Sequence, residues 1–164
     1  LFFHNNFTSN LKGLNWLKRH FPNHRVHQIN LPGDLIPTHI DACFTPIKPG
    51  VMIINPNRKI SSEHRNIFDN NKWKIYEAAP SIHNAPPPMC YSSIWLSMNV
   101  LIINPKTICV EASEEKMIKQ MESFGMDVVP VPFRDVYAFG GSLHCSTTDV
   151  YREGKCVDYF PNQP

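Results

Sequence analysis

The sequence lacks the features that mark several common classes of protein. No apolar run approaches the ~20 residues that a membrane-spanning helix needs. The formal net charge is only +2, and the 16 Lys and Arg residues are scattered rather than gathered on a basic face. We therefore expect neither a membrane span nor a nucleic-acid partner.

The cysteines lack the spacing of a disulfide framework. They lie far apart, without a Cys-x-x-Cys pair, at positions 43, 90, 109, 145 and 156. This pattern indicates a reducing compartment, and we expect a cytoplasmic or mitochondrial protein. We expect any targeting segment to lie outside these 164 residues. Pairing His39 with Cys43, or His144 with Cys145, gives the wrong spacing for zinc, so we expect no metal and no cofactor.

An internal echo suggests repeated structural units. The segment Val51-Met52-Ile53-Ile54-Asn55-Pro56 recurs as Val100-Leu101-Ile102-Ile103-Asn104-Pro105, a period near fifty residues. The second copy precedes an apolar strand at 107–110 and a helix with Ser113 as its N-cap. Gly125 ends that helix, and a strand follows at 128–131.

The first copy continues in the same order. Ser61 or Ser62 opens a weak helix, and residues 74–76 form the next strand. A further strand is predicted ahead of each copy, at 39–44 and at 94–99, and a third begins near Leu143. These patterns predict an α/β fold of ββαβ units. Such units need neighbours to bury their faces, and a closed ring is one way to remove exposed edges.

A glycine pair precedes the cysteine that is the strongest candidate for chemistry. Gly140-Gly141 lies just before His144-Cys145, and small hydroxyl residues follow. Glycine lets the backbone approach a ligand closely, and a thiolate is a good nucleophile. A Gly-rich turn that leads into a strand and buries Cys145 is the alternative interpretation.

His39 and Asp41 are the second candidate pair. On a strand, alternate residues share a face, so the predicted strand places both side chains together. Histidine can move protons near neutral pH, and a carboxylate can hold a cation. Arg58 could hold a carboxylate, and Ser92 and Ser93 could donate to a substrate. Five other histidines are expected at the surface, namely His20, His24, His27, His64 and His83.

These segments resemble the glycine amidinotransferases of the guanidino-group-modifying, or pentein, superfamily. The resemblance extends over nearly the whole chain and in order. The matching stretches are residues 16–20, 25–27, 38–44, 55–58, 92–100, 124–125 and 140–150.

The resemblance implies a fold, a reaction and residue roles. The fold is a five-bladed α/β propeller of ββαβ units. Cys145 is the nucleophile, His39 the general acid and base, and Asp41 holds the guanidinium, while Arg58, Ser92 and Ser93 bind the carboxylate end of the donor. The amidino group of arginine passes to glycine through an S-amidino-cysteine. The products are ornithine and guanidinoacetate, as in creatine biosynthesis, and the parent is a homodimer.

The resemblance also implies that residues 1–164 are the C-terminal portion of one catalytic domain. The aspartate that orients the histidine in the family would lie before Leu1, so we expect this portion alone to be inactive. The family has a third glycine, an aromatic residue and a tryptophan where this chain has Ser142, Leu143 and Ser146. Three alternatives stay open: an arginine deiminase-like hydrolase, a transferase acting on an inosamine phosphate, and a non-catalytic remnant that binds arginine or pairs with a homologous subunit.

Overall fold

Eight short strands and three α-helices follow one another in a repeating order. The structure is a computed structural model and describes residues 1–33, 36, 39–85 and 93–162. Its elements are β1 (Phe2–His4), α1 (Leu11–His20), β2 (His27–Ile29), β3 (Phe44–Lys48), β4 (Val51–Ile54), α2 (Ser62–Asp69), β5 (Lys74–Glu77), β6 (Leu101–Ile102), β7 (Thr107–Glu111), α3 (Glu115–Ser123) and β8 (Asp127–Val131). Three 3-10 helices, numbered in chain order, span Ile40–Ala42, Ile94–Met98 and Arg134–Phe139.

The predicted ββαβ unit occurs twice. In the first unit β3 pairs antiparallel with β4, and β4 pairs parallel with β5 after α2. In the second unit β6, β7 and β8 repeat this arrangement around α3. Ahead of them, the parallel pair of β1 and β2 joined by α1 repeats the last three elements of a unit. The α/β fold and its unit are thus confirmed.

The sequence echo is out of phase with this repeat. Its first copy forms β4, the second strand of one unit, whereas its second copy includes β6, the first strand of the next. Both copies are apolar strand segments followed by an asparagine whose side chain accepts backbone N–H groups: Asn55 from Asn57 at 2.9 Å, and Asn104 from Lys106 at 2.8 Å. The two copies of the echo therefore share a strand-and-asparagine turn but occupy different strands of the ββαβ unit.

The strands predicted at 39–44 and 94–99 were wrong. Both segments contain a 3-10 helix, and the strands begin later, at Phe44 and Leu101. The side chain of Ser93 caps the second of these helices by accepting the N–H of Trp95 at 3.1 Å. The strand predicted near Leu143 is also wrong, because that region is a turn. A short apolar run cannot by itself distinguish a buried turn from a buried strand.

Most helix boundaries follow the sequence signals. Ser61 caps α2, as predicted, and Gly125, with φ of 74°, follows the end of α3. Ser113 is not the N-cap of α3; that position belongs to Glu114. The Ser113 N–H and hydroxyl instead donate to the Glu111 carboxylate. Helix α1, which was not predicted, begins after the N-cap Asn10.

Successive units share their hydrophobic cores. Alternate residues of β4 enter different cores: Met52 and Ile54 pack with β2, β3 and α2, whereas Ile53 packs with β7 and α3. A small third cluster joins one residue from each 3-10 helix, namely Ala42, Leu96 and Tyr137. These helices therefore converge, and the site lies where they meet. No helix in the described part of the chain is long and apolar enough to cross a membrane.

Candidate active site

A tight turn after the third 3-10 helix presents Cys145. Gly140 ends that helix with φ of 85°, a conformation that residues with a side chain rarely adopt. At Gly141, an added Cβ would lie 2.7 Å from the Cβ of Cys145, closer than two such carbons can approach. The Ser146 N–H then donates to the Ser142 carbonyl at 3.1 Å and closes the turn. The glycine pair is thus required by the close packing of the turn around Cys145.

The structure brings His39, Asp41 and Cys145 together. A His39 ring nitrogen, a carboxylate oxygen of Asp41 and the Sγ of Cys145 all lie within 4.8 Å of one another. His39 is the N-cap residue of the first 3-10 helix, and Asp41 lies inside it. Contrary to the prediction from the sequence, His39 and Asp41 do not share a strand face, but their side chains do lie in a common site.

The Asp41 carboxylate is the centre of this cluster. Its Oδ2 accepts from Asn99 Nδ2 at 2.8 Å, lies 2.7 Å from His144 Nδ1, and accepts from Cys145 Sγ at 3.4 Å. Its Oδ1 is buried and has no hydrogen-bond partner among the described residues. A buried carboxylate oxygen without a donor is costly. Oδ1 is therefore an unfilled acceptor, and a ligand N–H reaches this enclosed atom only if a neighbouring side chain moves.

The electrostatics of the site keep the thiol protonated. The pKa of Cys145 is raised to about 11, first by partial burial of the thiol and then by the negative charge of Asp41. The thiolate rather than the thiol is the nucleophile. A cation placed against Asp41 would offset the negative charge and lower the pKa of the thiol. The arrangement therefore suits a nucleophile that a cationic substrate activates.

Asp41 and His144 open onto a large cleft. Its volume is about 1170 Å³, and its walls include Thr147, Asp149 and Arg152 on one side and the segment 156–160 on another. A drug-sized ligand occupies a smaller volume than this. Asp41 and His144 line this cleft, whereas Cys145 and His39 are not among its lining residues.

The predicted carboxylate-binding residues do not join this cluster. Arg58 is buried, donates from Nη1 to the Leu31 carbonyl at 3.0 Å, and lines a second pocket with His4. Ser93 is buried, and its hydroxyl oxygen is the helix cap described above. Ser92 lies outside the described residues.

Two residues of the site were not singled out from the sequence. Asn99 bonds to Asp41 and to the Cys145 turn, and His144 contacts Asp41 directly. Asn99 is 1% exposed and is a polar residue within the apolar stretch Met98-Asn99-Val100. A buried amide in such a stretch must find partners, which is the signal that could have identified it.

The same side chains could in principle ligate a metal ion. His39, Asp41 and Cys145 offer three ligand atoms within 4.8 Å of one another, and so do His83, Glu111 and Glu114. A structural zinc site needs four ligands, so each of these groups would be one short.

Two curated relatives match most of the chain. The chain is 36% identical over 149 residues to an L-arginine:L-lysine amidinotransferase of Pseudomonas savastanoi pv. phaseolicola, covering 90% of this chain and 40% of that protein. It is 37% identical over 153 residues to a mitochondrial glycine amidinotransferase of Danio rerio, covering 93% and 36%. The chain therefore spans about two-fifths of these relatives' length. No protein-family model matches the chain.

Solved structures show the same architecture. An amidinotransferase of the saxitoxin biosynthetic pathway from Microseira wollei superposes with a TM-score of 0.85 at 30% identity, covering 97% of this chain and 46% of that one. An inosamine-phosphate amidinotransferase of Streptomyces griseus gives a TM-score of 0.84 at 24% identity, covering 97% and 45%. At that identity the second likeness shows the fold alone.

Proposed function

Because this chain belongs to the amidinotransferase family, we propose that it carries the nucleophile of an enzyme that transfers the amidino group of arginine to an amine. The observation that carries the proposal is the contact of Asp41 with Cys145, with Sγ and Oδ2 3.4 Å apart and Oδ1 without a donor among the described residues. A guanidinium held by Asp41 lies next to the thiol. The carboxylate that holds the positive charge of arginine thus places the guanidinium carbon beside the Cys145 sulfur.

The first half of the reaction follows from this geometry. The guanidinium replaces the thiol proton as the partner of Asp41, which lowers the pKa of Cys145, and the thiol proton passes to His39. The thiolate attacks the guanidinium carbon, and a carbon–sulfur bond forms. The bond from that carbon to the δ-nitrogen of arginine then breaks. His39, within 4.8 Å of the sulfur, donates a proton to the leaving amine, so ornithine departs and an S-amidino-cysteine remains.

The second half reverses these steps with a different amine. His39 accepts a proton from the acceptor, whose nitrogen attacks the amidino carbon. The carbon–sulfur bond breaks, and the Cys145 thiolate takes that proton back from His39 to restore the thiol. Transfer exceeds hydrolysis only when water is kept from the intermediate. We propose glycine as the acceptor, which gives guanidinoacetate as in creatine biosynthesis. Relatives of nearly equal identity are a glycine and a lysine amidinotransferase, so lysine is the competitor to test.

We also propose that the chain is the C-terminal portion of a five-bladed ring. Three successive βαβ arrangements share cores, and the 3-10 helices converge on Ala42, Leu96 and Tyr137. The proposal extends to a homodimer in the cytoplasm or mitochondria and assigns Arg58, Ser92 and Ser93 to the donor carboxylate. Since Arg58 lines another pocket here, that assignment requires the second pocket to open toward the site.

The test is mass spectrometry of the full-length protein that carries this chain, mixed first with arginine alone. We expect an amidino adduct on Cys145 and one equivalent of ornithine. Adding glycine should remove the adduct and yield guanidinoacetate, whereas faster removal by lysine would assign that acceptor instead. Citrulline and ammonia would identify a hydrolase. An unmodified Cys145 with no arginine consumed would identify a non-catalytic protein.

A further inference from the structure

One buried side chain connects the two halves of the proposed site. Asn99 follows the second 3-10 helix, and its Nδ2 donates to Asp41 Oδ2 at 2.8 Å. Its Oδ1 accepts two backbone N–H groups of the turn, from Ser142 at 3.1 Å and from Cys145 at 3.0 Å. Its backbone carbonyl accepts a third, from His144 at 3.2 Å. The carboxylate and the nucleophile come from distant parts of the chain and meet on this residue.

We propose that Asn99 is a positioning residue, which holds the Asp41 carboxylate and the Cys145 turn in the one geometry where a guanidinium meets the thiol. This inference rests on the proposed function. The amide is suited to the task because it offers a donor to the carboxylate and an acceptor to the two N–H groups at once. Its bond fixes the carboxylate at Oδ2, while Oδ1 keeps no donor among the described residues.

Three features distinguish this role from ordinary support of the fold. Among the described residues, the Asn99 side chain bonds only to Asp41 and to the turn. Asn99 is 1% exposed, so no water competes for them. Its hydrogen bonding also lowers the pKa of the Cys145 thiol, against the raising effects of burial and Asp41. Loss of the side chain should therefore change the chemistry of the thiol as well as the stability of the turn.

The chain offers a matched control. Asn104 lies in the turn between β6 and β7, and its Oδ1 also accepts two backbone N–H groups, from Lys106 at 2.8 Å and from Thr107 at 2.9 Å. It is exposed and has no bond to the site residues in the described part of the chain. Asn104 lines the same cleft, so Asn104→Ala removes a similar pair of turn bonds there without removing a bond to Asp41 or to the Cys145 turn.

The experiment is a pH titration of Cys145 alkylation by iodoacetamide in the full-length protein, followed on the Cys145 peptide by mass spectrometry. The midpoint of the alkylation rate against pH gives the thiol pKa. The rate at the high-pH plateau shows how readily iodoacetamide reaches Cys145. We expect Asn99→Ala to raise the midpoint, with alkylation at pH 8 about tenfold slower. Asn99→Asp keeps the acceptor but places a second carboxylate against Asp41, so its midpoint should rise further. Asn104→Ala should titrate like the wild type.

A second part of the experiment exchanges the amide and the carboxylate between positions 99 and 41. In the double variant Asn99→Asp with Asp41→Asn, the amide and the carboxylate still bond, but the charge lies at position 99. We expect the alkylation midpoint to return to the wild-type value or below, while the amidino adduct with arginine is lost. Recovery of the midpoint supports the pairing of these two side chains.

Several results would overturn the proposal. Wild-type midpoints in both Asn99 variants, or an equal shift in Asn104→Ala, would leave Asn99 without an effect on the thiol. Failure of both Asn99 variants to fold, judged by circular dichroism, would assign the residue to the fold alone. Absence of an arginine adduct in the wild type would instead defeat the proposed function, since alkylation needs no substrate.

Discussion

The described part of the chain contains two clusters in which a carboxylate lies beside a histidine, and they differ in how the carboxylate oxygens are used. In the first, Asp41 lies beside His39, His144 and Cys145 and keeps Oδ1 without a donor among the described residues. In the second, Glu111 and Glu114 lie beside His83 and are 4% and 0% exposed. We name these clusters the Asp41 site and the Glu pair.

Each oxygen of the Glu pair already has a partner. The Glu111 carboxylate accepts from Ser113 and from the Phe133 N–H at 3.3 Å. The Glu114 carboxylate accepts from the Ser81 hydroxyl at 2.7 Å and from the Ile82 N–H at 3.1 Å, and Arg134 lies 4.0 Å away.

The Glu pair therefore ties the segment after β5 and the segment after β8 to the second unit. A carboxylate whose acceptors are all filled by the fold stabilises structure, whereas one with an unused acceptor beside a nucleophile can bind substrate.

The largest expected effect is that of Cys145→Ala, which should abolish amidino transfer while leaving the fold intact. The variant lacks the nucleophile, so the arginine half-reaction should fall by at least about a thousandfold. Removing an exposed side chain should change the melting temperature little. Ornithine release and calorimetry measure the two quantities. Cys109→Ala removes a free thiol of β7 that does not line the cleft, so it is the control and should keep wild-type activity; a comparable loss there would contradict the assignment.

Asp41→Asn tests the cation-binding half of the same site. The amide is of similar size but lacks the charge that holds a guanidinium. A charge-assisted hydrogen bond contributes roughly 1.5–3 kcal/mol, so kcat/KM for arginine should fall by about ten- to a hundredfold. Because a substrate contact is removed, KM should rise. Steady-state kinetics that show an unchanged KM and kcat would refute the role of Asp41.

Glu114→Ala should have the opposite signature. It leaves the Ser81 hydroxyl, the Ile82 N–H and Arg134 without their shared acceptor, and unfolding free energy should fall by about 3 kcal/mol. Urea unfolding of the full-length protein measures this loss. Activity per folded molecule should stay within about twofold of the wild type. If activity falls at full folding, the Glu pair also serves the site and the comparison between the clusters fails.

The same comparison shows what the sequence could and could not predict. Periodicity predicted the ββαβ order, because strands β4 and β7 and helix α3 are governed by local signals, although the cap of α3 is Glu114 rather than Ser113. The first two 3-10 helices were misassigned as strands, because a short buried apolar segment has no period of its own. The motifs and the family resemblance led to Cys145, His39 and Asp41. Asn99 and the Glu pair were missed, because their roles depend on partners far away in the sequence.

The smallest and most specific effect is the pH dependence of Cys145 in the unliganded protein. Since its pKa is raised to about 11, the thiolate fraction and the alkylation rate should rise about tenfold per pH unit below that value and level off near it.

A guanidinium ligand bound at Asp41 should move the midpoint of this pH profile down, because its positive charge favours the thiolate. Both midpoints are measured by iodoacetamide alkylation, with and without guanidinium chloride at a non-denaturing concentration. Sodium chloride at the same ionic strength is the control for ionic screening. A midpoint that falls only with the guanidinium ion shows that Asp41 and Cys145 act on one cation. A midpoint near 9, unchanged by guanidinium, would show that the carboxylate does not govern the thiol, and the distinction between the Asp41 site and the Glu pair would then lose its chemical basis.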